Sequence, residues 1–463
     1  MVRLTRVLLV VPPTVIELKK ILGVASPPLG LGYLASVARK KGHDVKIIDS
    51  IGENLTFDDL KRKISQYDPD IIGITATTSM IPDAYHVAKI AKENNPNIVV
   101  IIGGPHVTFL PEYTLRECPY IDIVVRGEGE ITFSEILDSI EKGKQYKKIL
   151  GITYKSNSGI IKSTPPRPLI KNVDNIPIPA FDLFNWDAYK FNNVRYGTII
   201  TSRGCPFNCI FCSSSLLFGK RYRAHSTDRV LEEIKILYEK FHIREIEFLD
   251  DTFTLNRRRA KEISQRLISE GYDLSWAASS RVDTFDKETG AIMHKSGAHT
   301  IYFGLESGTQ KILDMIGKGI SLDQSLKAVK IAKEIGIKTL GSFIIGFPQE
   351  TKDDIERTIN FAKHVNVDYA QFTIATPYPG TKLWFDAQAQ GLLLTRNWRL
   401  YTAVNVVMKS FYLTAKQIQK LLRKAYISFY LRPKYVLKDL IKNKGVLFRK
   451  IIAYLLNPNR IKF

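Results

Sequence analysis

Three of the chain's four cysteines lie within eight positions of one another, in the line Thr201-Ser-Arg-Gly-Cys205-Pro-Phe-Asn-Cys209-Ile-Phe-Cys212. Cysteines that only fill a core would be scattered. Thiolate is a soft ligand that suits iron–sulfur clusters and zinc. A zinc site needs a fourth cysteine or a histidine close by, and the nearest, His225, follows a basic run. A disulfide would leave the third cysteine unused. The spacing favours a four-iron cube with three protein ligands and one iron open to an external ligand.

Such a loop needs a scaffold. Six strand-like runs, each followed by a helical pattern, span the second half: Gly197–Thr201, Glu245–Leu249, Leu274–Ala278, Thr300–Leu305, Lys338–Ile345 and Tyr369–Ala375. Repeated strand–helix units predict a partial (β/α)6 barrel, whose chemistry collects at the C-terminal strand ends. The ends here are polar or glycine-rich: the cysteine loop, Asp250-Asp251, Ser279-Ser-Arg281, Glu306-Ser-Gly308, Gly346-Phe-Pro348 and Thr376 to Gly380. Singly, each reads as a turn or a helix cap. Six in register behind the cysteines read as one site.

The cysteine motif, with Phe211 before its last member, resembles that of the radical S-adenosylmethionine (SAM) enzymes. The resemblance implies that Cys205, Cys209 and Cys212 hold a 4Fe–4S cluster and that the open iron chelates SAM. One electron would then cleave SAM to a 5′-deoxyadenosyl radical. It places Asp250 and Asp251 at the methionine ammonium, although the family's common residues there are Gly-Gly-Glu. Ser279, Arg281 and Glu306 fall near the carboxylate and ribose, and Ile345, Gly346 and Pro348 beside the adenine. The charges suit those partners.

Residues 1 to about 150 alternate short apolar runs with amphipathic helices, the pattern of a doubly wound, Rossmann-like parallel sheet. Ligands of such sheets sit at the C-terminal strand ends. Those ends are Thr75-Ala-Thr77-Thr78-Ser79, Gly103-Gly104-Pro-His106 and Gly127-Glu128-Gly-Glu130. Gly30-Leu-Gly32-Tyr-Leu-Ala35 matches a dinucleotide fingerprint but does not follow its strand directly, so a nicotinamide cofactor is not expected. With Pro27 to Tyr33, Gly-Gly-Pro-His and Arg-Gly-Glu-Gly-Glu, the region resembles the cobalamin-binding domain that precedes many radical SAM domains. The resemblance implies cobalamin near Gly30, Thr75, Thr77, Thr78, Ser79, Gly103, Gly104, His106, Gly127 and Glu128. The D-x-H-x-x-G signature is absent, since Asp83 and His86 are misspaced, so no axial histidine is expected. His43 and His106 are expected as loop or supporting residues, and Cys118 as a small buried or loop residue.

Residues 151–195 read as a hairpin and a proline-rich linker, with Phe181, Phe184, Trp186 and Tyr189 expected to pack the two domains together rather than line a substrate entrance. Residues 196–395 form the barrel domain and 396–463 a basic helical region. Of the net charge of +21, Phe411–Phe463 carries 13 Lys and Arg against one acid, Asp439. Ile418, Leu421, Leu422, Ala425 and Phe429 fall at helical spacing among Lys416, Lys420, Arg423 and Lys424, and Val446–Leu456 repeats the theme. Such helices lie on anionic bilayers or cap a barrel. No nucleic-acid module is visible. The cysteine usage suits a reducing compartment; a cytoplasmic protein is expected, peripheral on the inner membrane face. The expected function is C-methylation of an unactivated carbon of a lipid or other membrane-associated substrate, with a protein reductant as partner. Cyclisation or rearrangement, and a cobalamin sensor, are the alternatives.

Overall fold

The computed structural model describes residues 5–14, 25–143, 146–156, 158–191, 194–433 and 435–437. Two seven-stranded sheets organise it. The first runs in the order β2-β1-β3-β4-β5-β6-β7. β1 (Arg6–Val11), β2 (Asp44–Asp49), β3 (Ile71–Thr75), β4 (Val99–Gly103) and β5 (Ile123–Val125) are parallel. Helices Leu29–Lys40, Phe57–Tyr67, Ile81–Asn94 and Glu130–Glu141 cross between strands. The short helices Pro105–Phe109 and Pro111–Glu117 link β4 to β5, a segment the apolar pattern leaves blank. Val7, Leu8, Leu9 and Val10 have no exposed surface, so β1 is covered on both faces, as a doubly wound sheet requires.

β6 (Ile152–Lys155) and β7 (Ile161–Ser163) extend this sheet antiparallel from β5. The hairpin assigned by sequence to the linker thus belongs to the first sheet. The turn between its strands gave no clue to that partner.

The second sheet runs β16-β15-β14-β13-β12-β9-β8. β9 (Val194–Ile199), β12 (Glu245–Phe248), β13 (Ser275–Ser280), β14 (Ala298–Glu306), β15 (Lys338–Ile345) and β16 (Tyr369–Ile374) are parallel, the six runs expected, and β8 (Lys190–Phe191) adds an antiparallel edge. Between β9 and β12 a small ribbon pairs β10 (Ser202–Arg203) with β11 (Arg223–Ala224). Burial alternates along these strands. Ile246, Phe248, Trp276, Phe303, Phe343 and Phe372 are sealed into one core with the flanking helices. Glu247, Ser279, Tyr302, Ser342 and Thr373 point to the opposite, half-open face.

Phe181, Phe184, Trp186 and Tyr189 join the two units as expected. All four are buried with Tyr33, and the Tyr189 hydroxyl donates to Asp49 at 2.8 Å. A Cβ on Gly32 would meet Phe184 at 2.8 Å, so glycine there admits the ring.

Over residues 396–433 the chain is not a separate tail. Trp398, Tyr401 and Val407 sink into the core of the first domain. Helix Ala415–Tyr430 then lays Ile418, Leu421, Leu422, Ala425 and Phe429 on the second sheet. β16 is an edge strand, whose free backbone groups invite pairing. The Tyr430 hydroxyl donates to Ala370 O (2.8 Å) and accepts from Ala370 N (3.0 Å), and Tyr426 treats Phe372 likewise at 2.9 and 3.2 Å. The helix therefore caps the barrel with its apolar face, leaving Lys416, Lys420 and Arg423 exposed. Val446–Leu456 lies outside the described residues.

Candidate functional site

The stem of the cysteine loop is tied to the sheet before the first cysteine. Thr201 N, the Thr201 hydroxyl and the Ser202 hydroxyl all donate to Asp250, each at 2.6 Å. Arg259 donates to Thr201 O and to the Thr201 hydroxyl, both at 3.0 Å. Asp250 is 2% exposed. Both its oxygens serve the stem rather than an incoming ammonium. Asp251, next along, receives Ser214 at 2.5 Å and lines a cavity between the two sheets. Burial, then repulsion from Asp250, push its carboxyl up.

Gly204 turns the chain at φ +93°, and a Cβ there would sit 2.3 Å from Arg221 O, so only glycine passes. Cys205 N donates to Gly219 O at 3.1 Å and Cys212 N to Cys209 O at 3.1 Å. The three thiols are free and half-buried. Burial pushes each up, while Lys318 and Arg281 pull Cys209 down. Among the described residues no three Cys, His, Asp or Glu converge closely enough for a single metal ion. His225, the histidine nearest in sequence, bonds Asp174 through Nδ1 at 2.9 Å.

The other strand ends surround this loop. The Arg281 guanidinium lies 3.4 Å over the Phe207 ring inside the loop. It also donates to both oxygens of Asp283 (2.9 and 2.8 Å) and to Lys318 O at 2.9 Å. Glu306 sits at φ +62°, where a non-glycine residue is strained. Its carboxylate takes the Lys318 ammonium at 2.6 Å. Ser279 faces the half-open side of β13. The Ile345 side chain points into the core, so only its backbone is available to a ligand. Gly346 N (2.6 Å) and Phe347 N (2.9 Å) donate to buried Glu350, and Pro348 is buried behind them. Phe211 packs 6.2 Å from Phe347.

Lys318 and Glu350 escaped the sequence reading. Each lies several residues past a strand, within helix-rich text. Their only sequence signal was proximity to glycines 317, 319 and 346.

A largely apolar cavity opens between the two sheets. Gly30, Thr75, Gly103, Gly104, Gly127 and Glu128 line its first-domain side. Ile200, Leu217, Phe218, Leu249 and Asp251 line the other. Nothing lies within 4 Å of where a Cβ would stand on Gly30 or Gly127. A floor of glycine backbone open to the cavity fits a broad ring system such as a corrin. Thr77 is exposed, and neither it nor Thr78, Ser79 or His106 reaches the cavity. Thr78–Met80 packs on Trp398–Leu400, and the His106 ring stands edge-on to Trp398 at 4.7 Å. His106 is 1% exposed, and burial pushes it down to about 3. These residues were expected around the ligand. The segment that folds back over them was not legible from 300 residues upstream.

A model of the radical SAM superfamily matches residues 199–362, and a model of the B12 binding domain matches residues 22–137. The uncharacterized methyltransferase PH0819 of Pyrococcus horikoshii is 58% identical over 98% of both chains. The anaerobic magnesium-protoporphyrin IX monomethyl ester cyclase of Rubrivivax gelatinosus is 32% identical over 77% of this chain and 66% of its own. The hopanoid C-3 methylase of Methylococcus capsulatus is 27% identical over 82% and 72%. Among solved structures, the cobalamin-dependent SAM radical enzyme OxsB, with aqua-cobalamin and SAM bound, shares the fold. It covers 99% of this chain and 72% of its own at TM-score 0.76 and 19% identity.

Proposed function

The chain belongs to the cobalamin-dependent radical SAM methyltransferase family, and we propose that it C-methylates an unactivated carbon of an apolar, membrane-associated substrate. When bound, the cluster and SAM supply a 5′-deoxyadenosyl radical and cobalamin a methyl group. The observation that carries the substrate class is the cavity wall. Opposite the glycine-lined floor stand Ile200, Leu217, Phe218 and Leu249, with Ser202, Arg203 and Asp251 as the polar members. An apolar wall excludes water from a reactive carbon and orients it by shape.

The chain's own residues do the positioning. Asp250 and Arg259 hold the cysteine stem, and Arg281 presses on Phe207 to set the loop. Asp251, Lys318 and Glu306 offer the charges that a zwitterionic methionine moiety pairs with. The relative from Methylococcus capsulatus, a hopanoid methylase by name, supports a lipid class of substrate. Membrane contact would come through Lys416, Lys420 and Arg423 with exposed Phe411 and Tyr412, because the apolar face of their helix is already covered. Among the described residues no helix is long and apolar enough to cross a membrane. A reductase protein would supply the electron.

The test is anaerobic. The protein is reconstituted with iron, sulfide and cobalamin, then given SAM and reductant with and without host lipid extract. Lipid should raise 5′-deoxyadenosine and S-adenosylhomocysteine together. A rise in 5′-deoxyadenosine alone would mean cyclisation or rearrangement, as the name of the Rubrivivax gelatinosus relative suggests. No response to lipid would overturn the apolar-substrate reading.

A further inference from the structure

Four charged side chains meet where the two domains touch. Arg203, two residues before Cys205, donates to Glu128 at 3.1 Å and to Glu130 at 2.6 Å. Arg223, its partner across the β10–β11 ribbon, donates to both oxygens of Glu128 at 2.9 Å. It also reaches Ile170 O at 2.7 Å, while Ile170 N returns to Glu128 at 2.8 Å. The four side chains are 3–9% exposed. Two acids and two arginines leave no net charge.

Burying four ions is not an economical way to stabilise an interface. Desolvation can outweigh the attraction, and an apolar replacement of similar volume is often at least as stable. What such a network offers is registry, since donor and acceptor directions must match on both sides. The location makes registry matter. Glu128 and Glu130 flank Gly129 on the loop after β5, and that loop lines the cavity beside Gly103 and Gly104. Arg203 lies in the stem whose other side is pinned by Asp250 and Arg259. One side chain, Arg203, thus spans from the stem of the cysteine loop to the rim of the glycine floor.

We propose that the Glu128–Arg203–Glu130 bridge, braced by Arg223, sets the separation and orientation of the cobalamin ring relative to the iron–sulfur cluster. These are positioning residues; none need touch the reacting carbon. The inference rests on the two-cofactor reading above. A displacement of about 1 Å in a positioned reaction can cost about 100-fold in rate, so a direct tie between the two sites has a chemical purpose.

The test reads geometry rather than turnover. Full-length protein is loaded with the cluster and hydroxocobalamin, then reduced so that cob(II)alamin and the cluster are both paramagnetic. The cluster shortens the electron-spin relaxation time of cob(II)alamin in a manner steeply dependent on their separation. Wild type should show one relaxation rate. Glu130→Gln and Arg203→Lys should each replace it with a broad spread of rates, with cofactor content per chain unchanged. Arg203→Lys keeps the charge, so it covers the case in which Glu130→Gln does not fold. A variant that melts earlier yet keeps the single wild-type rate would show the network to be structural only and overturn the proposal. So would the wild-type rate in Arg203→Lys alone. Absence of any cluster-dependent relaxation in wild type would instead sink the two-cofactor reading.

Discussion

The two sheets obey the same strand–helix rule and treat their faces in opposite ways. In the first, β1 and β3 are buried on both sides, and the cavity opens over the C-terminal strand ends. In the second, one face is sealed against helices, while Glu247, Ser279, Tyr302, Ser342 and Thr373 look out from the other. The first sheet is a platform whose edge holds something flat. The second is a wall with one sealed and one half-open face. The same contrast explains their burial patterns: continuous in β1, alternating in β12, β15 and β16.

The sharpest separation of the two roles is chemical. Cys209→Ala should abolish cluster binding and reductive cleavage of SAM, yet leave hydroxocobalamin binding by the first sheet intact. Anaerobic reconstitution followed by absorbance spectra checks both halves at once. Loss of cobalamin along with the cluster would mean that the two sheets do not act as independent platforms.

Packing gives the next contrast. The Leu9 side chain fills the space above Gly73, where a Cβ would stand 2.6 Å from its methyl. Leu9→Ala therefore leaves a void in the buried strand, and should cost about 2–5 kcal/mol of unfolding free energy. Ser342→Ala on the open face of the second sheet should stay within about 0.5 kcal/mol. Urea unfolding of the two variants makes the comparison. Equal losses would show that the open face is packed after all.

Edges differ too. The first sheet covers its β5 side with the β6–β7 hairpin, whereas β16 relies on tyrosine hydroxyls. Tyr430→Phe strips both partners from the backbone of Ala370 and should cost about 1–3 kcal/mol. Increased self-association in light scattering should accompany it.

How much of this was legible depended on sequence distance. Runs such as Arg6–Val11 and Ile71–Thr75 announce themselves, because a doubly buried strand has no polar positions to blur it. The cysteine loop was legible because its three ligands sit within one turn of chain. Glu128 was visible as a strand-end acid near a cavity, but its tie to Arg203 spans 75 residues and leaves no local mark. Asp250 and Asp251 read as a pair. Only the fold shows Asp250 turned to the stem and Asp251 to the cavity. The helix Ala415–Tyr430 displays an apolar face in sequence, and its pattern cannot distinguish a sheet edge from a bilayer. Trp398 gave no hint that it would cover His106.

The smallest effect expected probes the open face itself. Glu247 stands on β12 beside Tyr302, and burial pushes its carboxyl up to about 7. From the ordinary glutamate range to about pH 7 the folded chain keeps this proton while the unfolded chain has lost it. The folded state binds more protons there, so stability falls as pH rises through that window and levels off above it. Glu247→Gln carries no titrating proton and should remove this part of the slope. Glu233 and Glu350, also raised by burial, titrate in an overlapping range, so only the difference between variant and wild type isolates Glu247. Urea midpoints at roughly pH 5 and roughly pH 8 should converge on the acid side and separate on the basic side, with the variant the more stable. Wild type the more stable at the basic pH would instead mean that a cationic neighbour stabilises the carboxylate, and that this face of the second sheet is not the uncharged wall its burial pattern describes.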